Sequence, residues 1–137
     1  MTTATPLIDR LINEMNYPLL DLSNIDDFLS KNEHSVLFFT EDIKRFAESN
    51  DVAVVLPELV GLFPELVPAV IAREDEKKLQ SRYGFLSWPA LVFMRGDKYL
   101  DTITGIQDWN DYIEQIKTIL ASKTSRPKAI GIPVVNA

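Results

Sequence analysis

The segment SRYGFLSWPALVFMRGDKYLDTITG, residues 81–105, restricts the fold of this chain more than any other stretch. It contains a helix end at Gly84, a Trp-Pro turn, an apolar strand, a short polar turn and a second strand. The polar turn, residues 95–97, has the composition that a tight connection between antiparallel strands requires. The segment therefore predicts a β-hairpin that is entered through Trp88-Pro89.

The other elements are predicted from apolar runs and helical periodicity. SVLFFT (residues 35–40) and LVPAVIA (residues 66–72) are unbroken apolar runs, typical of strands covered on both faces. The order α-β-α-β-α-β-α-β-β-α predicts one α/β domain, with a mixed sheet of four to five strands between helical layers. This domain spans residues 1–121. Residues 122–137 contain two prolines and have no period, so we expect a mobile tail or a docking arm.

Several helices carry more specific predictions. SNIDDFLSKN is predicted to begin with Ser23 as its N-cap, followed three residues later by a capping-box acid. VAVVLPELVGLFPEL has β-branched residues that suit a strand, but the helical stripe of Val55, Leu59, Leu62 and Leu66 favours a helix kinked at Pro57. The acids at residues 74–76 are predicted to form the negatively charged first turn of a short surface helix. In the last helix, Trp109 is predicted to lie on the buried face.

The composition excludes several classes of function. The 137 residues contain no cysteine, which removes thiol catalysis, disulfides and thiolate metal sites together. The single histidine, His34, makes a histidine metal site or a Ser-His-Asp triad hard to build. The formal net charge of −6 argues against nucleic acid or an anionic membrane as a partner, because both need a basic face. No apolar run approaches the ~20 residues of a membrane-spanning helix, and the N-terminus lacks the pattern of a secretory signal.

The order of elements, together with YGFLSWPALVFMRGD, resembles the thioredoxin fold over residues 17–121. The resemblance implies a cis peptide bond at Trp88-Pro89. It also identifies Pro57 as the proline kink in the helix that follows the redox motif of thioredoxins. In the same register, residues 49–52 (Ser-Asn-Asp-Val) stand where thioredoxins have Cys-x-x-Cys. The resemblance therefore implies a thioredoxin-like three-layer fold that lacks its thiol chemistry.

Four segments, SVLFFTEDIKR, LVGLFPELVPAVIARED, RYGFLSWPALVF and GIQDW, together resemble the HyaE/HupG family of hydrogenase expression proteins, a cysteine-less group with thioredoxin-like domains. The resemblance implies a chaperone in the maturation of membrane-bound nickel–iron hydrogenases. Its partners would be the hydrogenase small-subunit precursor and the twin-arginine signal peptide of that precursor, bound before export. It further implies a cytoplasmic protein that is not an enzyme and needs no cofactor or metal.

The predicted partner-binding site surrounds the corner where the thiols would stand. Its residues are Trp88, Pro89, Ser49, Asp51, Glu41 and Asp42. An extended peptide would pair with the backbone at the cis-proline edge, with Trp88 as an aromatic anchor. The carboxylates lie in EDIKRFAESND, predicted to be an exposed loop, and would receive the two guanidinium groups bidentately. The structural alternative is that Trp88 packs on the kinked helix, Pro89 only shapes the turn, and the loop is merely solvated.

Two binding functions stay open at this point, and so does a non-thiol enzyme that would use Ser49 or a pair of acids, which no base–nucleophile geometry supports. The first is the hydrogenase chaperone, with no nucleic acid or membrane insertion involved and with room for a weak homodimer. The alternative is a generic redox-inactive thioredoxin-like adaptor or protein-interaction subunit, which would share the fold and the acidic surface. A redox enzyme is excluded, because thiol–disulfide exchange requires a thiolate.

Overall fold

A computed structural model describes residues 6–40 and 46–122, and it contains the predicted order of helices and strands. The α-helices of these residues are α1 (Pro6–Asn13), α2 (Ile25–Lys31), α3 (Phe46–Leu62), α4 (Glu76–Tyr83) and α5 (Trp109–Ala121). The strands are β1 (Leu19–Leu20), β2 (His34–Phe39), β3 (Val67–Ile71), β4 (Ala90–Arg95) and β5 (Lys98–Thr104). A short 3-10 turn, Arg73–Asp75, leads into α4. The predicted tail falls almost wholly on residues 123–137, outside the described residues.

The described strands form one mixed sheet in the order β1-β3-β2-β4-β5. β1, β3 and β2 run parallel to one another, whereas β4 is antiparallel to β2 and β5 is antiparallel to β4. The β4–β5 hairpin turns through Gly96 and Asp97, between the paired residues Arg95 and Lys98. With helices on both faces, this arrangement confirms the predicted three-layer α/β fold and the predicted number of strands.

The sheet separates two apolar cores. In β2, Phe38 enters the core formed with α1, α3 and α5, whereas its neighbour Phe39 enters the core formed with α2 and α4. Phe39 packs edge-on against Phe85, with ring centroids 4.7 Å apart. Because both faces of β2 are buried, SVLFFT carries apolar residues without alternation.

The start of α2 differs from the prediction. Ser23 is not the N-cap, because α2 begins at Ile25 and Asn24 occupies the capping position without a side-chain capping bond. Instead, the Asp21 carboxylate accepts hydrogen bonds from the main-chain N–H and the hydroxyl of Ser23. Ser23 thus forms a local turn with Asp21 in place of the capping box.

Two predictions about buried helix faces are wrong. α3 contains Pro57 as predicted, but it begins at Phe46, and Leu62 is 53% exposed. The buried face of α3 carries Leu56 and Leu59, and Leu62, the last residue of the helix, does not lie on it. Trp109 is 41% exposed because it is the first residue of α5, ahead of the turn at which the buried face begins.

Candidate functional site at the cis-proline corner

The loop that connects α4 to β4 shapes the candidate site. Gly84 ends α4 in the left-handed conformation, with φ of 77°, and its N–H bonds to the carbonyl of Gln80. The Trp88–Pro89 peptide bond that follows is cis, as the thioredoxin resemblance implies. Pro89 is buried, and its carbonyl accepts the N–H of Gly105 at 2.8 Å. The loop is therefore fixed against the end of β5.

The first turn of α3 and the start of α5 meet this loop at Gly105. Gly105 has a φ of +70°, and a Cβ built on it would lie 3.5 Å from Oε1 of Glu48. The hydroxyl of Tyr112 donates to the Gly105 carbonyl at 3.3 Å. We refer to Trp88, Pro89, Gly105 and the first turn of α3 as the cis-proline corner. Three segments that are distant in sequence thus supply one surface.

A buried carboxylate lies directly behind Trp88. Glu76, the first residue of α4, has no exposed surface. Its Oε1 accepts the indole N–H of Trp88 at 2.7 Å, and its Oε2 accepts the main-chain N–H of Thr40 at 3.0 Å. The Thr40 hydroxyl adds a longer bond of 3.3 Å to Oε2. Both carboxylate oxygens are therefore used to hold other elements of the fold.

The opposite side of the Thr40 peptide is held by α3. The hydroxyl of Ser49 donates to the Thr40 carbonyl at 2.9 Å, and Ser49 has no exposed surface. Ser49, Thr40, Glu76 and Trp88 thus form one hydrogen-bonded series, which we call the buried polar chain. It links the start of α3, the residue after β2, the start of α4 and the cis-proline loop.

Trp88 is only partly covered by these contacts. Its ring meets Phe85 edge-on, with centroids 5.3 Å apart, and the side chain stays half-buried. Within residues 6–40 and 46–122, no hydrogen bond involves the main-chain N–H or C=O of Trp88. An extended chain at this edge could therefore pair with the backbone of Trp88 and contact its indole face.

Exposed apolar side chains lie close in sequence to the residues of the corner. Leu86 is 78% exposed, and Ile106 is 40% exposed immediately after Gly105. Together with Trp109 we call these residues the apolar rim. A groove of about 330 Å³ lies between the loop at residues 84–87 and the β5 residues Tyr99 and Thr102. An apolar segment of a partner could be buried along this rim and groove.

The electrostatics of the corner are acidic. Burial raises the pKa of the Tyr112 hydroxyl, and a hydrogen bond with the backbone of Gln107 partly opposes this. The carboxylates of Asp51 and Glu48 raise the Tyr112 pKa further, because they disfavour a second negative charge nearby. Asp51 itself is exposed on α3. The corner thus offers negative charge beside apolar surface.

The structure brings together four of the predicted site residues. Trp88, Pro89, Ser49 and Asp51 all lie at or next to the cis-proline corner. Their roles differ, because Trp88 and Asp51 reach the surface whereas Ser49 and Pro89 are buried. The hydroxyl of Ser49 is used in its hydrogen bond to the Thr40 carbonyl, so in this conformation Ser49 stabilises the corner from the interior of the protein. The predicted residues Glu41 and Asp42 lie outside the described residues.

Glu76 is the member of the site that the sequence prediction missed. It was assigned with its neighbours to a charged first turn of a surface helix, and its burial corrects that assignment. A signal was present, since Glu76, Leu79 and Tyr83 follow one another at helical spacing, and the latter two are apolar core residues. That spacing places Glu76 on the buried face of α4.

A sequence profile for the family described as "Hydrogenase-1 expression protein HyaE" matches residues 7–112 of the chain. The chain belongs to the HyaE family. The hydrogenase expression/formation protein HoxO of Azotobacter vinelandii is 51% identical over 118 residues, which cover 86% of this chain and 80% of HoxO. HupG of Rhizobium leguminosarum bv. viciae, also named a hydrogenase expression/formation protein, is 40% identical over 132 residues, covering 92% and 89% of the two chains. This HyaE-family chain is thus a hydrogenase expression/formation protein, and its context is hydrogenase maturation.

Solved structures place the HyaE-family chain in the thioredoxin-like fold. A crystal structure named for the hydrogenase expression/formation protein hupG of Rhodopseudomonas palustris CGA009 matches with 42% identity and a TM-score of 0.54, covering 76% of this chain and 95% of that one. Mitochondrial thioredoxin 3 of Saccharomyces cerevisiae matches with 13% identity and a TM-score of 0.63, covering 76% and 96%. The thioredoxin match concerns the fold alone. No helix of the described residues is long and apolar enough to span a membrane.

Proposed function

We propose that this chain is a non-catalytic chaperone that binds the small-subunit precursor of a membrane-bound nickel–iron hydrogenase and the twin-arginine signal peptide of that precursor. Binding takes place in the cytoplasm, before export. The observation that carries the proposal is that exposed apolar side chains next in sequence to the corner residues occur together with the α3 carboxylates, which raise the pKa of Tyr112 at Gly105. Family membership supplies the hydrogenase context.

The apolar rim suits the hydrophobic part of a signal peptide. Such peptides combine a basic segment with an apolar segment of about 7–15 residues. Leu86 and the half-buried indole of Trp88 offer apolar area that a partner can cover. The main-chain groups of Trp88 make no hydrogen bond within the described residues, which suits an extended chain that would gain affinity from backbone pairing and specificity from its side chains.

The carboxylates suit the arginine pair. A guanidinium group matches a carboxylate bidentately, and two arginines need two acceptors close together. Glu48 and Asp51 are three residues apart on α3, so they share one face of the helix and can serve neighbouring arginines. At an accessible site these pairs contribute mainly to steering and selectivity, while apolar burial supplies most of the affinity.

A binding role rather than catalysis agrees with the side chains available. Thiol exchange is excluded because the chain has no cysteine. Ser49 would need a base to act as a nucleophile, but its hydroxyl donates to the Thr40 carbonyl. His34, the single histidine, lies at the opposite end of β2 from Thr40 and accepts a hydrogen bond from Arg95.

The proposal is tested by titrating the purified full-length chain with the twin-arginine signal peptide of the hydrogenase small subunit from the same organism. We expect binding to weaken when both arginines are replaced by lysine, because lysine cannot form the bidentate contact. Asp51→Asn should weaken binding about three- to tenfold through the lost guanidinium contact. Leu86→Ser should weaken it about tenfold or more through lost apolar burial.

Matched controls lie on α3, away from the corner. Glu58→Gln changes another exposed carboxylate of the same helix, and Leu62→Ser changes an exposed leucine at its far end. Both should leave affinity for the signal peptide unchanged. Equal binding of the arginine and lysine peptides, or equal effects of the corner and control variants, would contradict the proposal. Capture of hydrogenase-unrelated proteins from cells irrespective of the signal would favour the generic adaptor instead.

A further inference from the structure

Glu76 uses its carboxylate in an unusual way for the first residue of a helix. Two of its hydrogen bonds reach far along the chain: Oε1 bonds to Trp88, 12 residues away, and Oε2 bonds to Thr40, 36 residues away. The carboxylate therefore serves the arrangement of other elements.

Burial of a carboxylate is unfavourable unless hydrogen bonds replace the lost water. An apolar side chain of similar volume would fill the same space without that penalty. What a carboxylate provides in addition is direction, because its two oxygens can accept from two donors on different sides. At 2.7 Å, the bond to the indole N–H is as short as charge-assisted bonds are. It fixes the rotation of the Trp88 side chain.

The residues joined by Glu76 belong to the two halves of the cis-proline corner. On one side, Trp88 precedes the cis proline and carries the exposed indole face. On the other, Thr40 is held by Ser49, which lies in the first turn of α3 between Glu48 and the exposed Asp51. A change in the position of Glu76 would therefore alter the distance between the indole and the acidic turn.

We infer that Glu76 is the positioning residue of this site: its buried carboxylate sets the indole of Trp88 at a fixed place relative to the acidic first turn of α3. A partner must present an apolar segment and a cationic segment at the matching separation. The inference rests on the proposed function, because it explains how the corner would recognise a signal peptide. Glu76 touches no partner itself and acts through Trp88 and Thr40.

The test combines a spectroscopic measurement with a double-mutant cycle on the full-length chain. Glu76→Gln keeps the size of the side chain but offers one acceptor and one NH₂ donor, so it cannot accept from both the indole and the Thr40 N–H. We expect the indole Nε1–H resonance of Trp88 to shift, while that of Trp109 stays in place. We also expect the affinity for the twin-arginine signal peptide to fall about tenfold.

The cycle adds Trp88→Phe, which removes the indole donor and leaves Glu76 in place. If Glu76 acts through Trp88, Glu76→Gln should reduce affinity much less in the Trp88→Phe background than in the wild type. If Glu76→Gln does not fold, Glu76→Asp replaces it, since aspartate keeps the charge but is too short by one methylene to reach both donors. Should Glu76→Asp restore both the resonance and the affinity, a fixed carboxylate position is not required and the inference is wrong.

The outcomes separate this inference from the proposed function. Normal peptide affinity in a folded Glu76→Gln chain with a shifted Trp88 resonance would overturn the positioning role and leave the chaperone proposal standing. Full additivity of the two substitutions would also overturn it. Failure of the wild-type chain to bind the peptide would overturn the proposed function, and the recognition role of Glu76 with it.

Discussion

The acidic stretches at residues 48–51 and 74–76 both lie where a helix begins, yet the fold places them in different environments. In α3, Asp51 is exposed, Glu48 is half-buried and the neutral Ser49 is buried. Glu74, in the 3-10 turn before α4, is exposed, whereas Glu76, the first residue of α4, is buried. Both buried side chains bond to the same residue, Thr40. The main-chain carbonyl and the main-chain N–H of Thr40 require different hydrogen-bond partners.

The Thr40 carbonyl needs a donor, and the Ser49 hydroxyl supplies one. The Thr40 N–H needs an acceptor, and the Glu76 carboxylate supplies it together with a second acceptor for Trp88. A hydroxyl suffices for one bond, but two donors on opposite sides require two oxygens. The comparison shows that residue type at a buried helix start follows from the group it faces, not from the charge of its neighbours.

The largest expected effect comes from removing the buried carboxylate. Glu76→Ala removes the acceptor of the half-buried indole N–H of Trp88 and of the buried main-chain N–H of Thr40. We expect the free energy of unfolding to fall by about 3 kcal/mol or more, because each unsatisfied buried donor is costly. Chemical denaturation followed by circular dichroism would measure the change.

The control lies two residues away in the same acidic stretch. Glu74 is exposed, and its substitution by alanine removes only a surface charge near the start of α4. We expect a change within about 0.5 kcal/mol. If the two substitutions destabilised the chain equally, the stretch would act through the helix dipole as a whole, and the contrast between its members would be lost.

A second, smaller effect is expected at α3. Ser49→Ala removes the donor to the buried Thr40 carbonyl, so we expect a loss of about 1–2 kcal/mol in the free energy of unfolding. Asp51→Ala should change stability by no more than about 0.5 kcal/mol, because its side chain is exposed. Equal losses would mean that the acidic surface of α3, and not the buried polar chain, stabilises this corner.

Much of the architecture is readable from the sequence, because strand and helix patterns depend on which residues are apolar. SVLFFT became β2, LVPAVIA became β3, and Trp88-Pro89 opens the hairpin as predicted. Burial of single residues at helix ends was not predicted, because the ends and the buried face of each helix depend on tertiary packing. Trp109, the first residue of α5, and Leu62, the last residue of α3, are exposed for this reason.

The candidate site was predictable in location but not in mechanism. The resemblance pointed to Trp88 and to the stretch at residue 49, and these are the two ends of the buried polar chain. Its middle members are Thr40 and Glu76, which are joined across 36 residues by a contact that no local pattern encodes. Only the helical spacing of Glu76 with Leu79 indicated that this acid faces the core.

The smallest expected effect concerns Tyr112, whose pKa depends on the acidic side chains of α3. Burial raises the Tyr112 pKa above its usual value near 10, and Asp51 and Glu48 contribute in the same direction. The unfolded chain therefore loses this proton at a lower pH than the folded chain does. Stability from this group is present below pH 10 and falls as the pH rises through the folded-state pKa.

Tyr112→Phe should flatten the decline of unfolding free energy above about pH 10, as measured by urea denaturation at successive pH values. Near neutral pH it should cost about 0.5–1 kcal/mol, from the lost hydrogen bond to the Gly105 carbonyl. Asp51→Asn provides the link to the acidic turn, because removing that charge should lower the Tyr112 pKa in the folded state. The matched variant Glu58→Gln, lower on the same helix, should leave the Tyr112 titration unchanged. If Asp51→Asn left the pKa of Tyr112 unchanged, the acidic turn and the corner would not be electrostatically coupled. The two halves of the site would then be connected only through the buried polar chain.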